Sequence, residues 1–322
     1  MFVSKNKISD QGVESLSDCL NGNQITESGA NTLIQEIKNL KCLEQLEKKL
    51  GSGHYAEVFL AKHKKTGQKV AVKILEPIGI HKITREYLIL SLLQGHKNIV
   101  KLYDTVPLRG TKKQTSNLAY IFKEQDGEVV ILPLNVSGKH LKAKALFVFE
   151  YIKSPSLSKM EKYMNDYDIR CAIYDVLKAL AYMHNKGIFH RDIKPGNIMY
   201  NINKKRATVL DFGLAEFFHV SQPYHYKVAT RNYKAPEILL NYTCYDHAVD
   251  LWATGVTMGQ LITKIKPFFS REKDYKVLQA QTKLLGTQDL LNYMKRLNIK
   301  VDKYFASQFK KFHKYAGFEI LV

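Results

Sequence analysis

Between Phe189 and Gly213 the chain runs FHRDIKPGNIMY and, nine residues later, VLDFG. No other stretch restricts the possible folds so tightly. Asp192, Lys194 and Asn197 lie within six residues, and Asp211 follows an apolar run and precedes Phe-Gly. Two carboxylates, a cation and an amide are thereby fixed in order against apolar segments.

That set matches one chemistry. Phosphoryl transfer needs a carboxylate to orient the attacking hydroxyl, a cation for the γ-phosphate and oxygen ligands for magnesium. Asp192, Lys194, Asn197 and Asp211 supply these in turn. Upstream, LGSGHYAEV (50–58) puts Gly51 and Gly53 in a turn between two β-patterned runs. Glycines there let the backbone close over phosphates, although a glycine pair alone is more often only a turn. VAVK then places Lys73 on an otherwise apolar strand, which calls for an anion. Glu86, on the helical pattern 80–95, is the candidate; a solvated lysine and a solvated glutamate are the alternative.

With these motifs the chain resembles the eukaryotic protein kinases from about Leu43 onward. Within them it is most similar to the catalytic subunit of casein kinase II, on DFGLAEFF, VATRNYKAPEILL, KPFF and KLLGTQDLLNYM. The resemblance implies an α+β, bilobal fold: a β-rich small lobe at 43–152 and a mostly helical large lobe at 153–322. It implies ATP and Mg²⁺ as cofactors and transfer to serine or threonine, the Lys194-Pro195 pair being the serine/threonine form. Lys73 would hold the α- and β-phosphates and pair with Glu86. Asp192 would be the base, Lys194 the γ-phosphate contact, and Asn197 and Asp211 the metal ligands. Around the nucleotide it implies Leu50, Gly51, Ser52, Gly53, Val58, Ala71, Phe149, Met199 and Leu210, with the backbone of Glu150 and Ile152. Thr230 would bond within the catalytic loop, and Asp250 would brace it from a buried helix. Lys227, Arg231 and Lys234 would read acidic residues after the target, so acidic proteins are the expected substrates. A proline-directed kinase of the same group, or a kinase-like scaffold, is the rival.

The chain departs from that family in places. Phe212 replaces the tryptophan usual there, and the lysine-rich run before the regulatory helix is thinned to His81, Lys82 and Arg85. A lysine-rich insertion at about 107–143, with Asp126-Gly127 as a hairpin turn, falls where the family's regulatory subunit docks. Segments 6–16 and 23–33 share Asn-x-Ile-x-x-x-Gly-x-x-x-Leu, which makes residues 1–40 resemble a short leucine-rich-repeat segment. The large lobe is expected to be C-terminally incomplete. Glu237 of Ala-Pro-Glu usually receives an arginine from a later helix, and Arg296 is the sole arginine after Arg271.

Composition adds limits. The net charge of +19 favours acidic partners. A nucleic-acid role is the weaker use of it, since no such module is visible. Four scattered cysteines suggest reduced thiols in cytoplasm or nucleus, and no apolar run is long enough to span a bilayer.

Overall fold

The computed structural model describes residues 43–53, 56–64, 66–108, 123–125, 128–130, 142–269 and 272–300. The repeat-like segments, the Asp126-Gly127 turn and everything after Lys300 lie outside the described residues. Two compact units result, one within 1–94 and 100–152, the other within 95–99 and 153–322.

The first unit is built on an antiparallel sheet. Strands β1 (Leu43–Ser52), β2 (Ala56–His63) and β3 (Lys69–Leu75) pair in sequence order. The two-residue β4 (Ile78–Gly79) leads into helix α1 (Ile80–Leu92). Strand β5 (Leu102–Leu108) and β8 (Lys142–Glu150) complete the sheet, with β8 between β3 and β5. A separate hairpin joins β6 (Lys123–Gln125) to β7 (Glu128–Val130), in register Gln125 to Glu128. Alternation sets the faces. Val70, Val72 and Ile74 of β3 are buried, while Ala71 and Lys73 between them are half-buried. Helix α1 buries Ile80, Ile83, Glu86, Ile89 and Leu90, so Glu86 lies on its apolar side.

The second unit is mostly helical. After the single turn α2 (Leu157–Met160), helix α3 (Asp166–Asn185) begins with a capping box. The Asn165 side chain accepts from the Asp168 N–H at 2.9 Å, and the Asp168 carboxylate accepts from the Asn165 N–H at 3.3 Å. Ile169, Ala172, Ile173, Val176, Ala179, Leu180 and Met183 form its buried stripe. Gly187, at φ +66°, turns the chain out of α3 as few other residues would. It leads into β9 (Ile188–Phe189), which pairs with β12 (Glu216–Phe217). Between these lies the hairpin of β10 (Ile198–Asn201) and β11 (Arg206–Val209). The single turn α4 (Pro236–Leu239), then α5 (Ala248–Thr263), α6 (Asp274–Leu285) and α7 (Thr287–Arg296) follow. Among the described residues no helix is long and apolar enough to cross a membrane.

Candidate active site

In the first unit the sheet and α1 bring Lys73 and Glu86 together. The Lys73 ammonium donates to Glu86 Oε1 at 2.7 Å, with both side chains largely buried. Such a pair is costly to break, because either charge alone would be stranded in the interior. Leu50, Gly51 and Ser52 end β1, and Gly53 N donates to Ala56 O at 2.7 Å across the turn. Among the described residues, a side-chain carbon placed on Gly51 would meet nothing within 4 Å. Val58 lies opposite Lys73 in the ladder, and Phe149 opposite Ala71. Val58, Ala71, Phe149 and Ile152 are all half-buried. Glu150 is partly spoken for: its N–H donates to Lys101 O, and its carboxylate accepts from Lys101 N.

In the second unit the framework is Asp250 on α5, which has no exposed surface. Its Oδ1 accepts from Arg191 N at 2.7 Å, and its Oδ2 accepts from His190 N at 2.7 Å. His184 Nε2, at the end of α3, lies 3.0 Å from Oδ2. Arg191 itself is left-handed, at φ +63°. A non-glycine residue held there carries strain that its surroundings must offset. Its guanidinium donates to Leu214 O, Tyr245 Oη and Glu216 Oε2, which fastens the start of the segment after Gly213 to the loop. His190 is placed as the neutral tautomer that accepts from Asp192 N at Nδ1 and donates from Nε2 to Leu210 O.

That scaffold presents Asp192, 7% exposed. Thr230 N and Thr230 Oγ1 donate to its Oδ1, at 2.9 and 2.7 Å. Lys194 Nζ donates to its Oδ2 at 2.7 Å and to Thr230 Oγ1 at 2.8 Å. Asn197 Nδ2 donates to the Asp192 carbonyl and to Oδ2, at 3.0 and 3.1 Å. With its nitrogen so engaged, Asn197 keeps its amide oxygen as the group able to take a cation. Asp211 is exposed and left-handed, at φ +61°, while Phe212 beside it is buried against His190. An amide oxygen and a carboxylate are hard ligands of the kind Mg²⁺ takes, so these residues fit that ion. Met199 and Leu210 are half-buried, on and just after the β10–β11 hairpin.

The cations 227, 231 and 234 are not equivalent. Lys227 is exposed. Arg231 Nε and Lys234 Nζ both reach Asp274, and Arg231 also donates to Glu272 O. In sequence the three cations stand as one field, and nothing there points to Asp274, about forty residues further along.

Glu237 is met in another way than the family pattern implies. The carboxylate is buried on α4, and among the described residues its own backbone N–H and the Tyr293 hydroxyl of α7 bond it, rather than an arginine. Arg296 instead lies over the Tyr293 ring, 5.4 Å from its centroid. Beside them is a groove of about 320 Å³ whose lining includes Trp252, Leu278, Leu285, Leu290 and Tyr293. Burial pushes the Glu237 carboxyl above its ordinary 4.5, and the bonds from its own N–H and from Tyr293 offset this only in part. The folded chain therefore holds that proton more tightly than the unfolded one. This contribution to stability is present below pH 4.5 and is lost as pH rises through the raised value. Unfolding midpoints measured against pH should show Glu237→Gln gaining on the native protein as pH rises from there. Parallel curves would refute this.

His190, Arg191, Glu216, Tyr245, Asp274 and Tyr293 were missed as site residues in the sequence. The first two stand inside FHRD and carried a positional signal; the others are far away in sequence and carried none. The protein kinase domain model matches residues 44–316.

Proposed function

The chain belongs to the protein kinase family, and from that premise we propose that it is a serine/threonine kinase favouring acidic sequence after the target, as casein kinase II does. The carrying observation is the triangle in which Lys194 Nζ bonds Asp192 Oδ2 and Thr230 Oγ1. A cation beside the carboxylate is the arrangement of kinases that act on serine and threonine, by the resemblance in the catalytic loop.

The roles are those the resemblance implies, and the geometry of each unit supports them. Lys73, held by Glu86, offers its ammonium to the α- and β-phosphates, and the turn at Gly51 and Gly53 offers backbone N–H groups. The β2, β3 and β8 positions Val58, Ala71 and Phe149 and the backbone at Glu150 and Ile152 serve the base, as do Met199 and Leu210. When bound, Mg²⁺ supplies charge neutralisation on the phosphates, and Asn197 and Asp211 would hold it. Asp192 orients the substrate hydroxyl and accepts its proton as the oxygen attacks the γ-phosphorus and ADP leaves. Lys194 neutralises charge gathering on the transferred group. Lys227, Arg231 and Lys234 favour carboxylates on the far side of the target. A regulatory subunit, if it binds, would meet the insertion around β6 and β7, and cytoplasm or nucleus is the compartment proposed.

The test is transfer from Mg-ATP to a degenerate peptide array by the purified chain. Label on serine and threonine peptides rich in Asp and Glu after the target is expected. Label confined to tyrosine would sink the serine/threonine reading. A Ser-Pro preference would sink the acidic one and leave the proline-directed rival.

A further inference from the structure

We infer that Asp274 is a built-in competitor for the acidic side chain of the substrate, and that it sets how weakly or strongly this kinase selects an acid directly after the target. The inference rests on the acidic reading above.

Arg231 Nε reaches Asp274 Oδ1 at 3.1 Å and Lys234 Nζ reaches Oδ2 at 2.9 Å. One carboxylate, each oxygen on a different cation, is the geometry a substrate Asp or Glu would adopt between the same two groups. The competitor is held in place. Asp274 is the first residue of α6, where a negative charge is favoured by the helix N-terminus. Arg231 Nη1 donates at 2.6 Å to the carbonyl of Glu272, which fixes the guanidinium over the same turn. The Gln281 amide donates to Lys234 O at 2.9 Å, so the backbone of the second cation is tied to α6 as well. Lys234 is only 12% exposed at its side chain and Arg231 52%.

The charge follows. Arg231 and Lys234 give two positive charges and Asp274 removes one, so that pair keeps a single net positive charge beside the exposed Lys227. An incoming carboxylate must displace Asp274 or share its partners. An intramolecular carboxylate competes at a high effective concentration. Selectivity for an acid directly after the target is therefore damped in the native chain. Removing the charge of Asp274, and keeping its shape, should release it.

The experiment uses the full chain and its Asp274→Asn form with three peptides alike except for Asp, Ala or Pro after the target serine. The readout is the ratio of kcat/KM for the Asp peptide to that for the Ala peptide, at low salt. A ratio of a few-fold is expected for the native chain and about tenfold more for Asp274→Asn, as for two cations released from partly exposed pairs. The gain should lie in KM and fade with salt. Adding Lys234→Met to Asp274→Asn should cancel it, which a merely structural role for Asp274 would not do. A second arm needs no turnover: inorganic phosphate should raise the unfolding midpoint of Asp274→Asn more than that of the native chain. An unchanged ratio in an active Asp274→Asn protein overturns the inference. Preference for the Pro peptide in both proteins overturns the acidic reading instead. If neither protein labels any peptide the kinase reading falls, and equal phosphate shifts in the two would then overturn this inference as well.

Discussion

Asp192→Asn is expected to lower kcat about a thousandfold while nucleotide affinity changes little. Removing a positioned base typically costs 10²–10⁴ in rate. The change is nearly isosteric, and the two Thr230 donors can still find the remaining oxygen. On the other side the new amide would face Lys194 Nζ and Asn197 Nδ2, both donors. That mismatch costs about 1–3 kcal/mol locally. A modest drop in unfolding midpoint should therefore accompany the large drop in rate. The checks are single-turnover phosphorylation of a serine peptide, a fluorescent nucleotide titration and thermal unfolding of the same preparation. Turnover within tenfold of native would remove Asp192 from its role. Lost nucleotide binding would show that the substitution had damaged more than the base.

Much of the fold was legible because it follows local pattern. The β-patterned runs flanking Gly51 and Gly53 and the apolar run carrying Lys73 are β1, β2 and β3, and the helical pattern 80–95 is α1. The grouping of the candidate site in the second unit was legible for another reason: Asp192, Lys194 and Asn197 are close in sequence and carried on one loop. Thr230 and Asp250 came from the family resemblance, since no spacing ties them to Asp192. What could not be read were long-range partners that any polar residue might have filled. Asp274 is one acidic side chain on an ordinary-looking helix start, and only the placing of α6 sets it between Arg231 and Lys234. Tyr293 is the same kind of case. A phenol answers Glu237 where an arginine was sought, because burial asks for a donor and not for a particular residue.

The last prediction concerns the residue that holds the catalytic loop without touching any substrate. Asp250→Ala leaves the buried N–H groups of His190 and Arg191, and the partly exposed ring nitrogen of His184, without their acceptor. Stranded buried donors cost about 1–3 kcal/mol each, and packing relief makes their sum smaller than three separate losses, so about 3–5 kcal/mol is expected. For a chain of this size that is a fall of about 10 °C in unfolding midpoint. Stability alone does not define the role, because any core truncation lowers it. Leu261→Ala supplies the comparison: it empties a fully buried site on the same helix and should cost a similar amount. The two variants part company in rate. Arg191 keeps its left-handed backbone only while Asp250 grips the successive N–H groups of His190 and Arg191. Without that grip the strain relaxes, and Asp192, the next residue, moves off the line of the attacking hydroxyl. A displacement of about 1 Å at a reacting group can cost about a hundredfold. At a temperature where both variants are folded by circular dichroism, Leu261→Ala should keep near-native kcat and Asp250→Ala should lose at least a hundredfold. Equal rates at equal stability would mean that Asp250 supports the fold and nothing more.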